Sequence, residues 1–79
     1  SVSGPISALT QSSDTWITTK IKAGMLAAKG LHSTQIKVIT ENGTVYLMGL
    51  VSHQQADMAV NIARQAKGVQ RVVKIFEYR

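Results

Sequence analysis

The chain has 79 residues, no cysteine and a net charge of +5, from nine Lys/Arg against four Asp/Glu. That length holds one small domain, which buries only about 60% of its unfolded surface and has no disulfide or thiolate metal site to brace it. With 44% hydrophobic and 16% charged residues it is not a disordered chain, and no apolar run approaches the ~18 residues needed to cross a bilayer. The excess of base favours an anionic partner: nucleic acid, acidic lipid headgroups or an acidic protein.

The chain opens on Ser-Val-Ser-Gly, without a methionine or a signal peptide. The expectation is a domain excised from a longer protein whose targeting segment lies elsewhere. Residues 1–11, SVSGPISALTQ, mix Ser, Gly, Pro and Thr with isolated apolar residues and read as a linker or tail, from which Ile6 and Leu9 are available to dock.

The first helix is predicted to begin at Ser12 or Ser13, both good capping residues, with Asp14 facing the positive end of the helix dipole. Ile17, Ile21, Gly24, Met25 and Ala28 recur at helical spacing and form the core stripe. Gly30, preceded by Lys29, stops the helix.

QIKVIT, ENG and TVYLMGLV then spell a hairpin, because Asn-Gly between two β-rich runs is the strongest short-range hairpin signal. Ile36 and Val38 share one side of the first strand; Val45, Leu47, Gly49 and Val51 share one side of the second. Ser52 with Gln55 three residues later forms a capping-box pattern that starts the second helix. Ala56, Ala59, Val60, Ala63 and Ala66 give that helix a narrow stripe of small residues, flanked by Ile62, and Gly68 ends it. The run VQRVVKIFEYR is a last strand, with Val72, Phe76 and Tyr78 on one face and Val73 and Ile75 on the other.

The order is therefore α-β-β-α-β, an α+β domain. A right-handed helical crossover makes the second and third strands parallel beside an antiparallel hairpin. The result is a mixed three-stranded sheet with both helices on one face. Its second face is apolar: Ile39, Tyr46, Met48, Leu50, Val73 and Ile75. Either these are tolerated surface residues or another domain or subunit covers them.

Residues that carry chemistry are sparse. Asp14, Glu41, Asp57 and Glu77 are spread along the chain, and no pair is spaced for acid–base work. His32 and His53 stand alone, without the ligand number of a metal site. No glycine-rich phosphate loop follows a strand. The reading is a protein that is not an enzyme and holds no metal or cofactor. The bases (Lys20, Lys22, Lys29, Lys37, Arg64, Lys67, Arg71, Lys74 and Arg79) are scattered with little aromatic interleaving, which argues against nucleic acid as the partner.

The first helix is more informative. On a wheel with Ile17 at zero, Trp16 lies about 100° away and so off the core stripe. It heads a flank of Trp16, Thr19, Lys20, Ala23, Leu26 and Ala27, with Lys22 beside Leu26. A tryptophan among lysines suits the headgroup region of a membrane. The same ring also suits packing on the edge of its own core or on the linker.

The pattern Gly43-x-Val45-x-Leu47-x-Gly49-x-Val51, followed by Ala56, Ile62 and Ala63 and by Gly68-Val69-x-x-Val72, resembles the BON-domain signature. With SDTWITTKIKAGMLAAKGL it is similar to the second BON domain of DolP-type dual-BON outer-membrane lipoproteins, over roughly residues 13 to 78, with residues 12–79 expected as the domain. The leading GPI resembles their inter-domain linker. The family's lipid-anchored cysteine and first BON domain have no counterpart in these 79 residues. The resemblance implies a periplasmic module at the inner leaflet of the outer membrane that supports envelope integrity. It implies binding of anionic phospholipid, of phosphatidylglycerol or cardiolipin type, through the first helix at Trp16, Thr19, Lys20, Lys22, Ala23, Leu26 and Ala27. The alternative is a protein-interaction module that docks a sister BON domain or an envelope partner through Ile39, Tyr46, Met48, Leu50, Val73 and Ile75.

Overall fold

The computed structural model describes the backbone from residue 5 and the side chains from residue 13. The docking expected of Ile6 and Leu9 thus lies outside the described residues. Helix α1 spans Pro5–Ala27, so the predicted start at Ser12 or Ser13 is corrected. Between Pro5 and Ser13 the chain contains no glycine or proline to break a helix, and proline itself is at home in a first helical turn. Serine caps a helix only where the preceding chain is not already helical.

The three-stranded sheet has the order β1-β2-β3. Strand β1 (Lys37–Glu41) runs antiparallel to β2 (Thr44–Val51). Strand β3 (Arg71–Tyr78) runs parallel to β2, with α2 (His53–Gln65) as the crossover. This is the expected α-β-β-α-β mixed sheet. The hairpin turn is the two residues Asn42 and Gly43, at φ 51° and 78°. Two successive positive φ values make the turn whose twist matches that of the strands it joins.

Both helices cover one face. Ile17, Ile21 and Met25 of α1 meet Val38, Val45, Leu47 and Val51 of the sheet, Ile36 at its edge, and Ala56, Ala59 and Ala63 of α2, all buried. Val72 and Phe76 close this core from β3. The alanine stripe lets α2 lie close on the sheet, and Gly24 lets the helices touch. A Cβ at Gly24 would stand 2.9 Å from Cγ2 of Ile62.

Three local features differ from expectation. A single 3-10 turn, Ser33–Gln35, precedes β1, so Ile36 is buried just before the strand and not within it. The end of this turn in turn requires glycine at 49, whose φ is +148° and whose absent side chain leaves room for the Gln35 carbonyl against the middle of β2. The capping box at α2 is half formed. Ser52 Oγ accepts from Gln55 N at 3.1 Å, but the Gln55 side chain reaches away from the helix. Its Oε1 accepts from His32 N at 2.8 Å and its Nε2 donates to Gly30 O at 2.6 Å, tying the loop after α1 to the head of α2. Lastly, Asp14 does not serve the start of α1, which lies two turns earlier.

The candidate membrane-facing flank of α1

Asp14 instead fixes how α1 sits. Its carboxylate accepts from Asn42 N at 2.8 Å and from Gly43 N at 3.0 Å. One acidic side chain thus takes both amides of the hairpin turn. On the other side of the turn, Gly43 O accepts from Gln70 N at 2.8 Å, which joins the turn to the chain entering β3. Four residues along α1, Thr18 Oγ1 donates to Thr40 Oγ1 at 2.7 Å. These bonds lock the axial rotation of the helix, and with it the direction of every side chain on its outer flank.

Trp16 faces out. It is 50% exposed, and Leu26, on the same outer side, is 76% exposed. Thr19, Lys20, Lys22, Ala23 and Ala27 are exposed as well. Lys20, one turn after Trp16, places Nζ 5.7 Å from the indole centroid. A cation held over an aromatic face in water contributes about 0.5–1 kcal/mol, enough to bias the ammonium toward the ring. An apolar ring and a positive charge are therefore presented together. Thr19 Oγ1 donates to Thr15 O at 2.9 Å, so its hydroxyl is turned back on the helix.

Lys22 stands at the far edge of this flank, about 120° around the helix from Trp16 but about 40° from Leu26. With Thr19 it borders a shallow groove between α1 and β1, lined also by Thr15, Thr18, Val38 and Thr40. The seven candidate residues therefore form one broad flank, with Trp16 and Lys20 toward one edge and Lys22 at the other.

His53 opens α2 and stacks on Tyr78 at 3.9 Å between centroids and 5° between planes. Among the described residues no group of three or more His, Cys, Asp or Glu is arranged to hold a metal ion. The roles of Asp14 and Gln55 escaped the sequence reading because both act across more than 20 residues, where spacing carries no signal.

The outer face of the sheet is uncovered. Ile39, Leu50 and Ile75 are exposed and Tyr46, Met48 and Val73 half-buried. The register aligns Ile39 with Tyr46 and Val73, and Lys37 with Met48 and Ile75.

A family profile described as "BON domain" matches residues 13–79. The 21 kDa hemolysin of Actinobacillus pleuropneumoniae is 49% identical over 82% of this chain and 34% of its own length. The outer membrane lipoprotein DolP of Haemophilus influenzae is 43% identical over 98% of this chain and 40% of its own. The osmotically-inducible protein Y of Escherichia coli is 43% identical over 75% of this chain and 30% of its own. The chain thus spans two fifths or less of each of these relatives.

Proposed function

The chain belongs to the BON-domain family, and from that membership we propose that it is a phospholipid-binding module of a bacterial envelope lipoprotein, acting at the periplasmic side of the outer membrane. Trp16 enters the headgroup layer, where an indole finds both apolar contact and partners for its N–H. Lys20 and Lys22 draw the helix to anionic lipid, at about 1 kcal/mol each near the surface. Leu26, Ala23 and Ala27 add shallow apolar contact. The module binds and does not catalyse. Its ligand is an anionic phospholipid, of phosphatidylglycerol or cardiolipin type, and its task is to support the integrity of the envelope.

The observation that carries this reading is the half-exposed Trp16 with the Lys20 ammonium over its ring, on a helix flank turned away from the core. A relative named as an outer membrane lipoprotein, matched along nearly the whole of this chain, supports the setting. The affinity is modest, because one tryptophan and one leucine bury little area and the flank is otherwise small or polar.

Vesicle titrations test it. The Trp16 emission shifts to the blue with phosphatidylglycerol-containing vesicles and stays put with phosphatidylcholine alone. Trp16→Glu, at an exposed position that leaves the core intact, abolishes co-sedimentation with the anionic vesicles. Equal binding by this variant and the parent overturns the assignment.

A further inference from the structure

Strand β3 forms the longer free edge of the sheet, eight residues against five in β1. Among the described residues its one strand neighbour is β2. Arg71 N donates to Gly43 O at 3.4 Å and Arg79 N to Val51 O at 3.1 Å. Both bonds link the strands at one offset, so alternate residues between them, Val73, Ile75 and Glu77, turn to β2 as well. Val72, Lys74, Phe76 and Tyr78 therefore turn N–H and C=O to the free side, where they form a template for one more extended strand. Within β1 only Val38 and Thr40 do the same, and α1 is bonded there through Thr18 and Thr40. Beside β3, α2 leaves a shallow groove of about 310 Å³, lined by Asp57, Val60, Asn61, Arg64, Val72 and Lys74.

We propose that this edge receives an extended peptide segment of another protein, with acidic side chains facing α2. The hydrogen-bonding row demands extended backbone, and the charges choose the side chains. Lys74 is exposed at mid-strand on the side of α2, and the exposed Arg64 lines the same groove. They outweigh its one acid, Asp57. On the other side of the strand, Val73 and Ile75 stand between Arg71 and Glu77, whose charges cancel, so the guest's alternate residues there are apolar. A second copy fits poorly. Antiparallel pairing of β3 with itself joins residues that both turn their amides outward, and the two registers of greatest overlap centre on Lys74 and on Ile75. The first sets Lys74 opposite Lys74, and the second sets Arg71 opposite Arg79, just past the strand. Like charges directly opposite destabilise a strand pair. A lysine on the covered side of an edge strand guards against self-pairing, and here it also selects an acid.

In strand addition the main chain supplies affinity and alternate side chains supply specificity. The interaction rests on nothing in the lipid reading, since it uses neither Trp16 nor the outer flank of α1. The affinity is weak, with Kd in the range of roughly 0.1–1 mM, because ordering a free peptide offsets much of the gain.

Nuclear magnetic resonance titration of the isotope-labelled 79-residue chain tests it. The probe is a capped peptide of alternating valine and glutamate, about seven residues long, which spans the strand at ~3.3 Å per residue. The control alternates valine and lysine. The glutamate peptide shifts the resonances of β3 and of α2 around Asn61, and slows hydrogen exchange at the amides of Val72, Lys74, Phe76 and Tyr78. The lysine peptide binds about tenfold more weakly or not at all. Lys74→Glu with Arg64→Glu reverses that preference. Both positions are exposed, so circular dichroism matching the parent is expected, and the comparison of the two peptides on the parent needs no variant. The proposal is overturned by equal binding of the two peptides, by shifts confined to α1, or by the absence of any shift at several millimolar peptide. A folded double variant that keeps the parent's preference overturns it too. So does a parent that dimerises without peptide and protects the same four amides, which gives the edge to a second copy.

Discussion

At the scale of single residues, Asp14 holds more of the architecture than its neighbours suggest. Its carboxylate is the partner of two backbone amides in the hairpin turn, and bonds to a charged acceptor contribute about 1.5–3 kcal/mol each when well made. Partial exposure of the turn lets water replace part of that. Asp14→Ala is therefore expected to lower stability by about 1–3 kcal/mol, read as a lower urea midpoint at unchanged slope. Asp14→Asn, with one oxygen left to accept, loses about half as much. Nothing in the sequence announces this role. An aspartate after two serines resembles a helix start, and only the three-dimensional fold shows that the helix runs on past it and that its true partner is 28 residues away.

Among the elements, the ones read most directly from sequence are those with local causes. Asn42-Gly43 dictates its turn by the positive φ that both residues tolerate, and the strands follow from it. The alanine stripe of α2 and the Ile17–Ile21–Met25 stripe of α1 announce their buried faces by spacing alone. What spacing does not encode is how one helix meets the other. Gly24 and Ile62 meet at that crossing, and a methyl at Gly24 would stand 2.9 Å from Ile62 Cγ2. Alanine gains about 1 kcal/mol over glycine inside a helix, but overpacking costs about 1–3 kcal/mol. Gly24→Ala is expected to destabilise the parent by about 1 kcal/mol and to stabilise an Ile62→Ala variant, where the methyl meets open space. Denaturant melts of the four proteins in this cycle measure the coupling. If Gly24→Ala has the same effect in both backgrounds, the two helices do not meet there as described.

On the scale of the whole molecule, charge and packing are separate. Among the described residues no polar or charged side chain is buried, and the core is wholly apolar. Apart from Asp14, which holds the hairpin turn, the charges lie outside, where they act on partners more than on the fold. Raising salt from about 50 mM to about 500 mM shortens the screening length from roughly 14 Å to roughly 4 Å. Binding to anionic vesicles is expected to fall several-fold over that range while the urea midpoint of the free protein barely moves. Parallel losses in both would mean that surface charge holds the fold together. The sequence discloses the amount of charge but not its distribution, since which charges share a face is decided only once β1 and β3 stand on either side of β2. The clamp at Asp14 has one more consequence at this scale. A protein that meets a surface through a single ring needs that ring aimed, and here the aim is set at a β-turn that touches no lipid. Moving the turn so that α1 rotates by one residue would swing the indole through about 100°, into the groove or onto the core. Insertions between Asn42 and Gly43 are therefore a way to blind this helix without altering any residue that it shows to the membrane.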